Sequence, residues 1–90
     1  MSRAFVNEDA EGWGKAGQFD LPPRDDPSFD EAAARALLDA AVAGDTGSAE
    51  VATGYYWGER KLRPFVERML ERARVDRDEP RTRAAERFLR

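Results

Sequence analysis

Pro27-Ser28-Phe29-Asp30-Glu31-Ala32-Ala33-Ala34-Arg35-Ala36-Leu37-Leu38-Asp39-Ala40-Ala41-Val42-Ala43-Gly44 is the stretch on which the fold turns. Between its proline and its glycine stand almost only strong helix formers. Ser28-Phe29-Asp30-Glu31 fits a capping box, in which the serine oxygen accepts the Glu31 amide and the Glu31 side chain reaches back to the serine amide. Asp30 and Glu31 also lie at the positive end of the helix dipole. On that reading Ser28→Ala should cost about 1 kcal/mol. Gly44 supplies the left-handed stop. Phe29, Ala33, Leu37, Ala40 and Ala41 share one face, and its small side chains let another helix approach closely.

Downstream the pattern repeats in shorter pieces. Asp45 or Thr46 can cap a second helix that runs to about Thr53, with Gly54 ending it. Leu62, Phe65, Val66, Met69, Leu70 and Ala73 recur at three- and four-residue spacing and form the apolar stripe of a third helix. Pro64 cannot donate an amide bond, so it belongs in a first turn, and the regular helix is expected from Lys61 or Leu62. Arg63 with Glu67, and Glu71 with Arg74, are spaced for favourable pairs. Arg77-Asp78-Glu79-Pro80 reads as a turn, followed by a last helix with Ala84, Ala85, Phe88 and Leu89 on its apolar side. The prediction is an all-α fold: a small bundle of three to four short helices over 28–90, preceded by a flexible acidic and aromatic tail over 1–27. In that tail Phe5, Val6, Trp13, Phe19 and Leu21 are interspersed with acids. It either orders on a partner surface or lays Phe19 and Leu21 onto the helical body.

Gly54-Tyr55-Tyr56-Trp57-Gly58 sits between the second and third helices. Three aromatics bracketed by glycine make either a corner where helices meet or a platform that stacks bases or peptides.

Charge is split along the chain. Residues 1–58 carry 4 Lys/Arg against 11 Asp/Glu, whereas residues 59–90 carry 11 against 7. A molecule so divided shows an acidic and a basic surface, which bounds its partners. The candidate interaction residues are therefore Tyr55, Tyr56 and Trp57 together with Arg60, Lys61, Arg63, Arg68 and Arg72.

The composition argues against chemistry. With neither histidine nor cysteine among 90 residues, the usual general base, the usual zinc ligands and the thiolate nucleophile are all missing. Ser28 and Ser48 are explained by helix starts. The pairs Asp25-Asp26 and Asp76/Asp78 lack the spacing of a calcium loop and read as solvated charge. Gly12-Trp13-Gly14-Lys15-Ala16-Gly17 has glycines like a phosphate loop but follows no strand. No enzyme activity, cofactor or metal is expected. The lack of disulfides suits a cytoplasmic setting, the opening residues turn acidic where an export signal would turn apolar, and no window approaches a membrane span.

Met1-Ser2-Arg3-Ala4-Phe5-Val6-Asn7-Glu8-Asp9 resembles the opening of Gre-type transcription elongation factors, some of which carry lysine where Asn7 stands. Gly44-Asp45-Thr46-Gly47-Ser48-Ala49-Glu50 resembles the tip of that family's coiled-coil hairpin, and Gly58-Glu59-Arg60-Lys61-Leu62-Arg63 resembles a basic run that follows it. These stretches cover about a quarter of the chain. The resemblance implies association with RNA polymerase. It does not extend to the long hairpin, which Gly54, Gly58 and Pro64 interrupt, nor to the β domain. The acidic tip maps only onto Asp45 and Glu50, at a different spacing, so its activity is not carried over.

The reading favoured by the residues is a small non-enzymatic protein-interaction module. The alternative is a regulator that meets RNA polymerase or nucleic acid through its arginine-rich C-terminal helices. A third possibility is a homodimer through the alanine face, which would show a concentration-dependent Tm.

Overall fold

The computed structural model describes residues 19–90. The readings made on residues 1–18, including Phe5, Val6, Trp13, the glycine run and the opening segment, lie outside the described residues. The fold is all-α. Four helices follow in order: α1 (Phe29–Ala43), α2 (Thr46–Thr53), α3 (Arg63–Val75) and α4 (Glu79–Phe88), with a 3-10 turn at Arg60–Leu62 before α3. There is no strand among the described residues.

The alanine-rich helix is the hub. α1 packs against α2, α3, the 3-10 turn and α4, and α3 packs along α4. Its buried set is wider than one stripe: Phe29, Ala33, Ala34, Ala36, Leu37, Leu38 and Ala40. Small residues on adjacent faces let several helices crowd one axis, and Ala33, Ala34, Leu37 and Leu38 are all 0% exposed. The 3-10 turn contributes Leu62, α3 contributes Val66, Leu70 and Ala73, and α4 contributes Ala84, Ala85 and Phe88. Phe65 and Met69 from the same stripe pack at the margin of this core.

The start of α1 departs from the capping box. Ser28 makes no side-chain cap. Its backbone lies at φ −86°, ψ 0°, outside the β region that turns a cap oxygen toward the first helical amides. Asp26 takes over instead: one carboxylate oxygen accepts from the Ser28 amide at 2.8 Å and from the Ser28 hydroxyl at 2.7 Å. This is an Asx turn closing onto the helix. The two hydrogen bonds from Ser28, the hydroxyl foremost, hold the Asp26 carboxyl below its usual range. A carboxylate so lowered stabilises the fold above its unfolded value of about 3.8, and the contribution disappears as pH falls through the folded value. Asp26→Ala should therefore lower Tm near neutral pH more than Ser28→Ala does, since the serine amide keeps its acceptor in the latter. The gap between Asp26→Ala and the native chain should close in strong acid. Thermal melts of the three proteins across the acid range measure both effects.

Pro64 sets the start of α3. Regular helix begins at Arg63 rather than at Lys61 or Leu62, because residue 64 has no amide to give the Arg60 carbonyl. That carbonyl accepts from the Arg63 amide instead, which makes the preceding turn 3-10. The other termini match their residues. Gly44 and Gly54 end α1 and α2 at φ 83° and 78°. Asp45 accepts from the Ser48 amide at the start of α2, and Asp78 accepts from the Arg81 amide at the start of α4. Thus Asp26 and Asp78, read from sequence as solvated charge, each close a helix start.

α3 ends on Arg77 with φ 57°, the one non-glycine residue in the left-handed region among those described. The Asp78 amide reaches back to the Ala73 carbonyl at 2.8 Å and the Arg77 amide to Arg74 at 3.1 Å, a Schellman ending. Left-handed geometry costs a side-chain-bearing residue roughly 1–2 kcal/mol. Glycine avoids this at an entropic cost of about 0.5–1 kcal/mol. Arg77→Gly should raise stability by about 0.5–1 kcal/mol, read as a higher urea midpoint with unchanged m-value.

The segment before α1 is held down on the body. Phe19 and Leu21 pack against the core. The Arg24 guanidinium lies 5.5 Å from the Phe29 ring centroid and covers Gly54, where a Cβ would sit 2.5 Å from Arg24 Nη2.

Candidate interaction surface

The aromatic run divides into two anchored rings and one free one. Thr53, 0% exposed, organises the corner. Its hydroxyl donates to the Ala49 carbonyl at 2.7 Å and accepts from the Tyr55 amide at 3.2 Å. Tyr55 is half-buried, its ring 6.2 Å from Phe29, and its hydroxyl donates to Asp30 Oδ1 at 2.7 Å. That hydrogen bond is the main reason its phenol is pushed above the usual value of 10.0. Trp57 stands edge-on to Phe88 with centroids 4.9 Å apart, and its amide donates to Glu50 Oε2 at 2.8 Å. Tyr55 and Trp57 thus form the helix corner. Tyr56, between them, is 79% exposed.

The corner joins the two ends of the basic half. α3 and α4 run antiparallel through the turn at Asp76–Asp78, so the end of α4 returns to the start of α3. Arg63 Nη2 donates to the Leu89 carbonyl at 2.9 Å, and Trp57 rests on Phe88. Arg60, Lys61 and Arg63 are thereby gathered with Arg87 and Arg90 at one end of the bundle.

The other cations are mostly committed to acids. Arg72 pairs with Asp76, Arg74 with Glu71 and Glu86, Arg81 with Asp39 and Asp78, Arg83 with Glu79, and Arg35 with Glu31. Arg68 stacks its guanidinium 5.1 Å from the Phe65 ring centroid, and Arg63 bonds Leu89 rather than Glu67. Each exposed pair contributes only about 0–1 kcal/mol, but together they neutralise the sides of α3 and α4. At the end of the bundle Arg60, Lys61, Arg87 and Arg90 are exposed and have no acidic partner among the described residues. Of the sequence candidates, Tyr56, Arg60 and Lys61 stand together beside Arg63. Arg68 and Arg72 lie farther along α3, with their charges on Phe65 and Asp76. Arg87 and Arg90 join the group without having been singled out, since only the return of α4 brings them there.

This placement is not what helix stability favours. The first turn of α3 has no acidic residue, and Arg60, Lys61 and Arg63 all stand at its positive end. A cation there is unfavourable by up to about 0.3–1 kcal/mol. Arg63 is offset by the carbonyl at the negative end of α4, whereas Arg60 and Lys61 have no such contact.

Asp45 and Glu50, the residues on which the hairpin-tip resemblance rests, hold the Ser48 amide and the Trp57 amide. No described helix is long and apolar enough to cross a membrane. Among the described residues no three acidic side chains converge into a group that could hold a metal ion. No family model matches the chain, and neither a curated protein nor a solved structure is significantly similar to it.

Proposed function

We propose that the protein is a non-enzymatic interaction module that meets an acidic surface of another protein with the end of its bundle. The carrying observation is the placement of Arg60 and Lys61, exposed and without acidic partners at the positive end of α3, next to the exposed Tyr56. Charges set against the helix dipole contribute nothing to folding, so a contact outside the fold accounts for them best. An acidic partner gains them as steering charge, and the tyrosine offers a large rigid contact of the kind enriched in interfaces.

The test is an NMR titration of the full chain with an oligoglutamate peptide and with an oligothymidylate of matched charge. The expected result is amide shifts confined to residues 56–63 and 87–90 on adding the peptide. The double substitution Arg60→Glu with Lys61→Glu should weaken that binding by about tenfold or more, about 1.4 kcal/mol. Shifts scattered over α1 and α2, or an unchanged affinity in the double variant, overturn the proposal.

The exposed tyrosine among cations also favours a second reading, a regulator that contacts nucleic acid by stacking and charge. Tighter binding of the oligothymidylate, weakening steeply with salt, would install that reading in place of the first. It would also fit the resemblance to factors that act on RNA polymerase.

A further inference from the structure

The end of the bundle gathers several cations, of which one alone is a nucleophile. Arginine stays protonated in proteins and has no electron pair to offer. Lysine can give up a proton, and the amine that results attacks carbonyl carbon. The chain has two lysines, Lys15 and Lys61, against 13 arginines, and Lys61 is the one lysine among the described residues. It lies in the 3-10 turn Arg60–Leu62 and is exposed. The neighbouring Glu59 carboxylate accepts from the Lys61 backbone amide at 3.2 Å, and no carboxylate among the described residues pairs with the Lys61 ammonium. Three contacts bring the end of α4 against this turn. Arg63 Nη2 donates to the Leu89 carbonyl, Trp57 rests on Phe88, and a Cβ on Gly58 would stand 3.9 Å from the Phe88 carbonyl oxygen. Arg87 and Arg90 flank Phe88 and Leu89 in sequence and are exposed.

We infer that Lys61 is an acylation site whose co-reactant is an anionic acyl donor of the acyl phosphate class. The guanidinium groups of Arg60, Arg87 and Arg90 attract the donor's phosphate, and the positive end of α3 adds to that attraction. The donor is thereby concentrated beside the one amine of the cluster. Lys61 Nζ, as the free amine, attacks the carbonyl carbon. A C–N bond forms, the bond from that carbon to the bridging oxygen breaks, and phosphate leaves with the electron pair. Of the two protons that the ammonium gives up in all, phosphate takes one and water the other. Nothing is oxidised or reduced. The product is a neutral amide, so the end of the bundle loses one positive charge. That this loss weakens a contact with an acidic partner rests on the function proposed above; the acylation itself does not.

The test incubates the full chain with acetyl phosphate at low salt and follows acetylation of Lys61 by peptide mass spectrometry. Arg87→Gln with Arg90→Gln removes only the cations that the return of α4 supplies, and should slow Lys61 acetylation by about threefold or more. High salt should abolish the difference between the two proteins. A neutral donor, the N-hydroxysuccinimide ester of acetate, should acetylate Lys61 at the same rate in both. An unchanged rate with acetyl phosphate in the double variant overturns the inference. So does an equal slowing with the neutral ester, which would trace the effect to lost fold or lost access rather than to capture of phosphate. The rates are read from mass alone, so a failed oligoglutamate titration and a failed acetylation assay are separate results.

Discussion

Phe88→Ala should unfold the domain or bring it to the edge of unfolding. Phe88 is 2% exposed and is the largest of the fully buried side chains. Truncating a buried phenylalanine to alanine costs about 3–5 kcal/mol, through lost transfer energy and the cavity that remains. A core of this size rarely supplies more than about 3–5 kcal/mol of net stability, so one substitution matches the whole. The ring also has a positional role. It receives the edge of Trp57 and anchors the last turn of α4 beside the 3-10 turn, so its loss separates Arg87 and Arg90 from Arg60 and Lys61. The expected result is a sharp loss of helical circular dichroism at 25 °C or a Tm lowered by more than 10 °C, taking about 4–8 °C per kcal/mol. Phe88→Leu, which keeps much of the volume, should fall well short of that. A Phe88→Ala protein melting within a few degrees of the native chain would mean that α4 does not close the core.

Thr53→Val should cost about 1–3 kcal/mol although it barely changes the shape of the side chain. The hydroxyl is the acceptor for the Tyr55 amide and is itself satisfied by Ala49. Valine leaves that amide without its partner, and an unmet buried donor carries the desolvation penalty. Hydrophobic gain from the added methyl does not replace the lost bond. The second effect is local: Tyr55 should loosen from Asp30, and Trp57 with it. Thr53→Ser keeps the hydroxyl and should restore most of the stability, which separates hydrogen bonding from packing. Urea unfolding of the three proteins measures the cost, and equal midpoints for Thr53→Val and Thr53→Ser would discard the hydrogen-bond account.

Phe88 and Thr53 also show how differently two features of the fold are encoded. Phe88 is legible as core because it lies with Ala84, Ala85 and Leu89 on one face of a short helix, a pattern local in sequence. Thr53 marks only the end of α2 in the sequence. Its role as acceptor for the Tyr55 amide depends on the conformation of Gly54 and on the burial of the corner. The basic surface divides in the same way. Arg60, Lys61 and Arg63 are adjacent along the chain, and their charge is evident there. Their neighbours Arg87 and Arg90 are some 25 residues away in sequence, and which of eleven C-terminal cations remain without an acid depends on how α3 and α4 face each other.

By itself the sequence determined the helical class, a count of three to four helices and most of their ends. Proline, glycine, aspartate and apolar spacing act over three or four residues, and those forces are complete within a turn of chain. The exceptions have the same short range: Asp26, two residues away, competes for Ser28 more effectively than Glu31 does, and Pro64 delays regular helix to Arg63. Tertiary structure alone decided that α1 is the hub, that Tyr55 and Trp57 turn inward while Tyr56 turns out, and that Arg60, Lys61, Arg87 and Arg90 gather at one end. Those outcomes depend on which surfaces meet, and contact between distant segments is set by the packing of the whole core rather than by any one stretch of it.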